Sequence, residues 1–306
     1  MKKFAVVGAG AVGCYYGAKL AQSGRDVHFL MRSDLDAVRR KGLRIRSKDG
    51  DFHLRRVNAY GSTNEIGASD VVLIALKTTG NSALEKLIPP LLHEQTILVT
   101  LQNGLGNEEF LAERFGAQRV LGGLCFVCLN RIAHGVIEHY GHGTLSIGEF
   151  NRPPRARTRE IVDAFCEAGI DAKLVRNLIT ERWRKLVWNI PFNGLGIAAR
   201  ANVAEVLADE RLHKLARDLM RETIDAAGAL GHRIPLSFIE KQIERSWPMG
   251  PYRSSSQIDF DEDRAVEVES IWGEPYRQAA RAGMSVPRME TIYALIKGLT
   301  AKQQSG

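Results

Sequence analysis

The hexapeptide Gly8-Ala9-Gly10-Ala11-Val12-Gly13 stands directly after the apolar run Phe4 to Val7 and opens a stretch of helical periodicity, about Ala11 to Ser23, that Gly24 closes. Glycine does something different at each of the three positions. The first permits a tight turn, the second lets the backbone approach a pyrophosphate, and the third lets helix and strand pack closely. The N-terminus of the helix then presents unpaired N–H groups to the anion. G-x-G-x-x-G alone is a common pattern; between a strand and a helix it predicts a first βαβ unit that binds a dinucleotide.

The rest of the first half continues that unit. Val27 to Met31, Val71 to Leu76, Thr96 to Leu101 and Val120 to Val127 read as strands of a parallel sheet. Gly135 to Glu149 alternates around Gly141-His142-Gly143 and reads as a hairpin added to one edge. A helix over Arg155 to Ala168 and a short strand, Ala172 to Val175, follow, after which strand signals stop. Helices are expected at about Ile179 to Ala199, Val203 to Leu230, Leu236 to Ser246, Arg264 to Ala282 and Pro287 to Leu299. The fold class is therefore α/β, an N-terminal Rossmann-type doubly wound sheet with a C-terminal all-helical domain, divided as residues 1–176 and 177–306.

Several function classes drop out. No stretch approaches the roughly 20 apolar residues that cross a bilayer, and glycines interrupt the opening apolar run, so a soluble, cytoplasmic chain without a membrane partner is expected. The net charge is +7, which suits an anionic ligand. The basic residues lie in short clusters among acids, without an aromatic platform for bases, so no nucleic-acid partner is expected. Cys125 and Cys128 form a C-x-x-C with no second pair, and His134, His139 and His142 lie in strand-like sequence, so no metal site is expected.

The second strand ends in Arg32, where NAD-binding chains carry a carboxylate for the ribose hydroxyls. A guanidinium there can grip a 2′-phosphate, which points to NADP(H), with Ser33 as a further contact. Asp34 or Asp36 taking the ribose is the competing reading. The next two strands end at Lys77 and Asn103, beside the flexible Thr78-Thr79-Gly80 and Gly104-Leu105-Gly106. A lysine and an amide at strand ends can meet a bound ligand; ordinary loop chemistry is the alternative.

Within Glu181 to Asn193, the residues Lys185, Asn189 and Asn193 recur at i, i+4 and i+8 and share one helical face. Trp183, Val187 and Ile190 face the core, and Pro191 is expected to kink the helix. A ketone reduction needs a proton for the forming alkoxide, which an ammonium can give, and two amides can hold the carboxylate and hydroxyl of a small acid.

With these residues together, the chain resembles the ketopantoate reductase (2-dehydropantoate 2-reductase) family over nearly its whole length. The likeness rests on the glycine loop, Arg32, Leu76-Lys77, Gln102-Asn103-Gly104, Trp183-Arg184-Lys185-Leu186 and a late Ser-to-Glu segment ending Arg264-Ala265-Val266-Glu267-Val268-Glu269. The resemblance implies Lys185 as general acid, Asn189 and Asn193 as substrate amides, and Asn103 and Lys77 as residues near nicotinamide and substrate. It makes Glu267 a carboxylate near both the lysine and the nicotinamide ribose. Counting back gives Ser255 as the substrate serine, with Ser254 and Ser256 as alternatives. Pro191 ahead of Asn193, the segment Ser256 to Asp261 and the bulky residues from Cys125 to Arg131 depart from the common family pattern and leave the choice of keto acid open.

The expectation is an NADPH-dependent reductase of a small anionic 2-keto acid, most specifically 2-dehydropantoate to (R)-pantoate. The alternatives are an NADP-dependent enzyme for a different keto or hydroxy acid, and a non-catalytic NADP-sensing module. The long helical half could also offer a homodimer interface.

Overall fold

In the computed structural model, which describes residues 2–304, the β-branched runs of the first half become strands of one sheet. The elements in order are β1 (Lys3–Val7), α1 (Ala11–Gln22), β2 (Asp26–Leu30), α2 (Leu35–Lys41), β3 (Leu43–Ser47), β4 (Phe52–Leu54), β5 (Asn58–Tyr60), α3 (Thr63–Ile66), β6 (Val71–Ile74), α4 (Leu84–Leu87), β7 (Ile97–Thr100), α5 (Asn107–Phe115), β8 (Val120–Ala133), β9 (Val136–Glu149), α6 (Ala156–Glu167) and β10 (Ala172–Leu174). The strand order is β4-β3-β9-β8-β7-β6-β1-β2-β5, with β10 beside β9. β1 is parallel to both neighbours, Val6 opposite Phe29 on one side and Leu73 on the other. From β1 the chain passes to β2, crosses to β3 and β4 at the opposite edge, comes back to β5 beside β2, and then returns to β6 and winds the other way, so the topological switch point lies between β1 and β6. In open α/β sheets that is where ligands bind, outside the carboxyl ends of the strands.

The expectations for this half need correction at β9 and are incomplete at β3, β4 and β5. Residues 136–149 form one strand, not a hairpin; it pairs antiparallel with β8, and the turn falls at His134-Gly135. The Gly141-His142-Gly143 signal marks an irregularity in that pairing, where register shifts occur and His142 and Gly143 take positive φ of 57° and 130°. β3, β4 and β5 were not expected at all. β3 alternates buried Leu43 and Ile45 with exposed Arg44 and Arg46, and it lies parallel to β9.

The helical half runs α7 (Leu178–Ala198), α8 (Val203–Ala208), α9 (Glu210–Ala229), α10 (Ser237–Ser246), α11 (Ser255–Asp261), a π-helical turn (Glu269–Gly273), α12 (Glu274–Arg281) and α13 (Pro287–Gln304). A single helix over Val203 to Leu230 is replaced by two, because the Asp209 carboxylate accepts from the N–H groups of Arg211 and Leu212 at 2.9 and 2.8 Å and starts a new one. A helix from Arg264 is also corrected: residues 264–267 have no regular structure, and the π-turn precedes α12. The α13 N-terminus is capped from afar, with Glu222 accepting from the N–H groups of Arg288 and Met289. α7 continues through Pro191 to Ala198.

Two compact units result. One holds the chain to Gln102 together with Asn107–Leu178; the other holds Asn103–Gly106 and everything from Ile179 onward. Each has its own core, one around Phe4, Val6, Phe29 and Leu73, the other around Trp183, Val187, Ile190 and Trp272. Among the described residues, no helix is long and apolar enough to cross a membrane.

Candidate active site

The glycine loop has the geometry that its sequence requires. Gly8 takes φ of +101°, and a Cβ there would lie 2.3 Å from the Leu76 amide nitrogen; a Cβ on Gly13 would lie 2.2 Å from the Gly8 carbonyl oxygen. Only hydrogen fits at either position. A Cβ on Gly10, by contrast, meets nothing within 4 Å, and α1 begins there with no side chain capping its first N–H groups. Open space over uncapped helical N–H groups fits a pyrophosphate. Ala9, Ala11 and Val12 complete the loop and are half-buried.

Arg32 is exposed, and its side chain makes no hydrogen bond or ion pair among the described residues. Asp34, the competing ribose ligand, is only 2% exposed. Its carboxylate accepts from Arg131 Nη1 at 3.0 Å, His134 Nδ1 at 2.8 Å and the Gly135 N–H at 3.0 Å. Burial pushes this carboxyl up, but the hydrogen bonds from His134, Gly135 and Ser33 and the Arg131 charge outweigh it and hold the pKa below the usual carboxylate value. Asp34 is thus committed to protein partners, and Arg32 is left facing solvent beside it. Asp36 is exposed in the first turn of α2.

At the next strand ends, Gln102 is buried and joins two loops. Its Nε2 donates to the Leu76 carbonyl at 2.9 Å and to Asn81 Oδ1 at 2.7 Å, while its Oε1 accepts from Thr100 Oγ1 at 2.9 Å. These bonds fix the backbone next to Lys77, which is half-buried and precedes a 3₁₀ turn over Thr78–Ala83.

In the helical unit, Lys185 Nζ donates to Asn103 Oδ1 at 2.7 Å. Asn103 reaches the lysine because its loop is anchored: the Leu105 N–H donates to the Ser270 carbonyl at 2.9 Å, inside the π-turn. Gly104, at φ +84°, passes so close that a Cβ would lie 2.2 Å from that carbonyl oxygen. One turn along α7, Asn189 is 7% exposed; a turn further, Asn193 is 2% exposed. Asn193 Nδ2 donates to Ser256 Oγ at 3.1 Å, and its Oδ1 is buried with no hydrogen-bond partner. A buried amide oxygen without a donor is uncommon in folded proteins.

The structure separates the three serines. Ser254 Oγ caps α11 by accepting from the Gln257 N–H at 3.3 Å, Ser255 is exposed, and Ser256 is the one beside Asn193. Ser255, the residue that counting back from Glu267 gives, is the first residue of α11. Glu267 is 8% exposed and sits on the irregular segment leading into the π-turn. Sequence reasoning missed the contribution of Ser270 and Gly104, and a glycine after Asn103 was the sole signal of it.

The family model described as Ketopantoate reductase PanE/ApbA matches residues 4–152, and its C-terminal counterpart matches residues 177–300. The chain belongs to the ketopantoate reductase family. Within it, the 2-dehydropantoate 2-reductase of Nostoc sp. is 42% identical over 310 aligned residues, covering 100% of this chain and 97% of that one. The crystal structure of 2-dehydropantoate 2-reductase from Geobacter metallireducens matches with a TM-score of 0.95 and 44% identity, covering 97% of this chain and 99% of that one. A ternary structure of D-mandelate dehydrogenase with NADH and anilino(oxo)acetate shares the fold, with a TM-score of 0.91 at 20% identity and 99% of both chains covered. The glycine loop, Arg32, Lys77 and Asn103 fall inside the N-terminal ketopantoate reductase match, and Lys185, Asn189, Asn193, Ser256 and Glu267 inside the C-terminal one.

Proposed function

We propose that this chain is an NADPH-dependent reductase of a small 2-keto acid, with 2-dehydropantoate as substrate and (R)-pantoate as product. The observation that carries the reading is the Lys185–Asn103 hydrogen bond of 2.7 Å on the helix face that also bears Asn189 and Asn193. Family membership supports it, as does the name that the Nostoc and Geobacter relatives carry.

In this reading the sheet unit is the cofactor domain and the helical unit the catalytic one. Gly8 to Gly13 would hold the pyrophosphate, Arg32 the 2′-phosphate, and Lys77, Asn103 and Glu267 the nicotinamide end. Bound there, the cofactor supplies a hydride. Lys185 provides the proton. The bond to Asn103 sets the direction of the ammonium, whose proton passes to the keto oxygen as negative charge develops there. Buried Glu267 is read as the carboxylate that keeps the lysine charged and aligned. Asn189 holds the substrate carboxylate, and Asn193 with Ser256 holds its terminal hydroxyl, the donor that the buried Asn193 Oδ1 otherwise lacks. None of the four cysteines is in a disulfide, which fits a reducing, cytoplasmic compartment.

The test is loss of NADPH absorbance with purified protein and ketopantoate, run beside NADH and other 2-keto acids. Turnover of ketopantoate with NADPH, abolished in Lys185→Ala, supports the reading. Turnover restricted to a different acid removes the substrate assignment, and full activity in the variant removes the acid.

A further inference from the structure

The loop that follows β2 is tied to the tip of the β8–β9 hairpin, and the tie holds a second guanidinium against the two residues that follow Arg32. Arg131 Nη1 donates to Asp34 Oδ1 at 3.0 Å and to Ser33 Oγ at 3.2 Å. Its Nε and Nη2 bond to nothing among the described residues, and the side chain is 42% exposed. Both oxygens of Asp34 point into the hairpin, Oδ1 toward Arg131 and His134 and Oδ2 toward the Gly135 N–H. What would be a repelling carboxylate in this loop is therefore buried and used as a strut. The residue it props up is a cation, hydrogen-bonded to the neighbour of Arg32. A phosphate monoester near neutral pH carries close to two negative charges, and planar guanidinium forks match its oxygens in pairs.

We propose that Arg131 is a second arginine of the site for the cofactor's 2′-phosphate, positioned by Asp34, so that preference for the phosphorylated dinucleotide is set by the β8–β9 hairpin as well as by Arg32. This rests on the reading of Arg32 as a 2′-phosphate ligand. Arg131 has one edge on the protein and the other open to the ligand. Arg32 and Arg131 come from segments about a hundred residues apart, so neither signals the other in the sequence.

The experiment is fluorescence titration of NADPH and NADH into the whole protein and its Arg131→Gln, Arg131→Lys and Arg32→Ala variants. Arg131→Gln should weaken NADPH about tenfold or more, the worth of a charge-assisted hydrogen bond, and leave NADH within about twofold. Arg131→Lys, which keeps the charge but not the fork, should lose less. Equal weakening of both cofactors, or of neither, overturns the proposal and leaves Arg131 as a tie only. If Arg131→Gln does not fold, inhibition of Arg131→Lys by 2′-AMP against 5′-AMP decides, because only the 2′ ester should lose potency. A wild-type chain that binds NADH as tightly as NADPH, with Arg32→Ala silent, would instead sink the cofactor reading itself. Preference for NADPH lost in Arg32→Ala and kept in Arg131→Gln would sink this proposal alone.

Discussion

Gly104 and Ser270 approach so closely that a single methyl on the glycine would overlap the serine's carbonyl oxygen, at 2.2 Å. The next residue donates to the same oxygen, and the residue before the glycine holds the catalytic lysine candidate. The π-turn and the amino group of Lys185 are therefore connected through a loop of four residues, Asn103–Gly106.

Gly104→Ala should push that loop off the π-turn. With φ at +84°, alanine is strained whatever room is found for its methyl. Misplacing a positioned group by an ångström can cost about 10²-fold in rate. The expected result is a fall in kcat of that order with NADPH affinity retained, read by steady-state kinetics and cofactor titration. A kcat within about twofold of wild type would mean the loop does not set the lysine.

Lys185→Ala should lower kcat by about 10²–10⁴, the usual contribution of a positioned acid, and leave NADPH binding unchanged. Asn103→Ala should fall between that variant and wild type, since the ammonium remains but loses its partner. If Asn103→Ala proved as inactive as Lys185→Ala, the amide would have a role of its own in catalysis.

The buried Asn193 oxygen bears on substrate choice. A site built to bond a hydroxyl rejects the analogue without it by roughly 10⁴-fold, because its own polar group is left unpaired. Ketopantoate should therefore outcompete 3,3-dimethyl-2-oxobutanoate, which has the same skeleton without the hydroxyl. Asn193→Leu should narrow the gap, mostly by losing ketopantoate. Comparable kcat/KM for the two acids in the wild type would remove the hydroxyl assignment.

Acid should weaken the fold through His139. This ring is buried, with Nδ1 against Ser47 Oγ at 2.9 Å and Nε2 against the carbonyls of Gly141 and His142, both at 3.1 Å. The carbonyls require Nε2 to carry the proton, so Nδ1 accepts from the hydroxyl. Burial lowers the pKa of His139, and of His232 likewise. The unfolded chain takes up these protons near pH 6.5; the folded chain does so lower. Stability is thus full above about 6.5 and drains away as pH falls toward the folded values. Thermal melts from pH 8 to pH 5 should show Tm declining, with a shallower decline in His139→Gln. An unchanged slope in that variant would acquit His139.

What could be read from the sequence was whatever local pattern encodes. The glycine loop carries its own steric reason at each position, and the α7 face follows from a spacing of four. β3 was overlooked because two of its five residues are arginines and its partner, β9, lies about ninety residues onward. The Gly141-His142-Gly143 signal is real backbone irregularity, but glycine serves a bulge and a turn equally well. Which of the three serines lies beside Asn193 could not be read, because it depends on where α11 begins. Asn103 was legible as a strand-end residue, but its bond to Lys185 was not, because an anchored loop that belongs to the helical unit is a tertiary fact.

Strand order also governs how the chain meets the ribosome's timetable. β3 and β4 are paired with each other early, but the other flank of β3 belongs to β9. At translation rates of about 5–20 residues per second, the β3 flank stands open on the order of ten seconds before its neighbour emerges. Throughout that interval its outward side chains are Arg44 and Arg46, and charges on an open strand are what discourage it from pairing with the wrong chain. The residues that hid this strand from the sequence reading are thereby suited to guard it while the protein is being made.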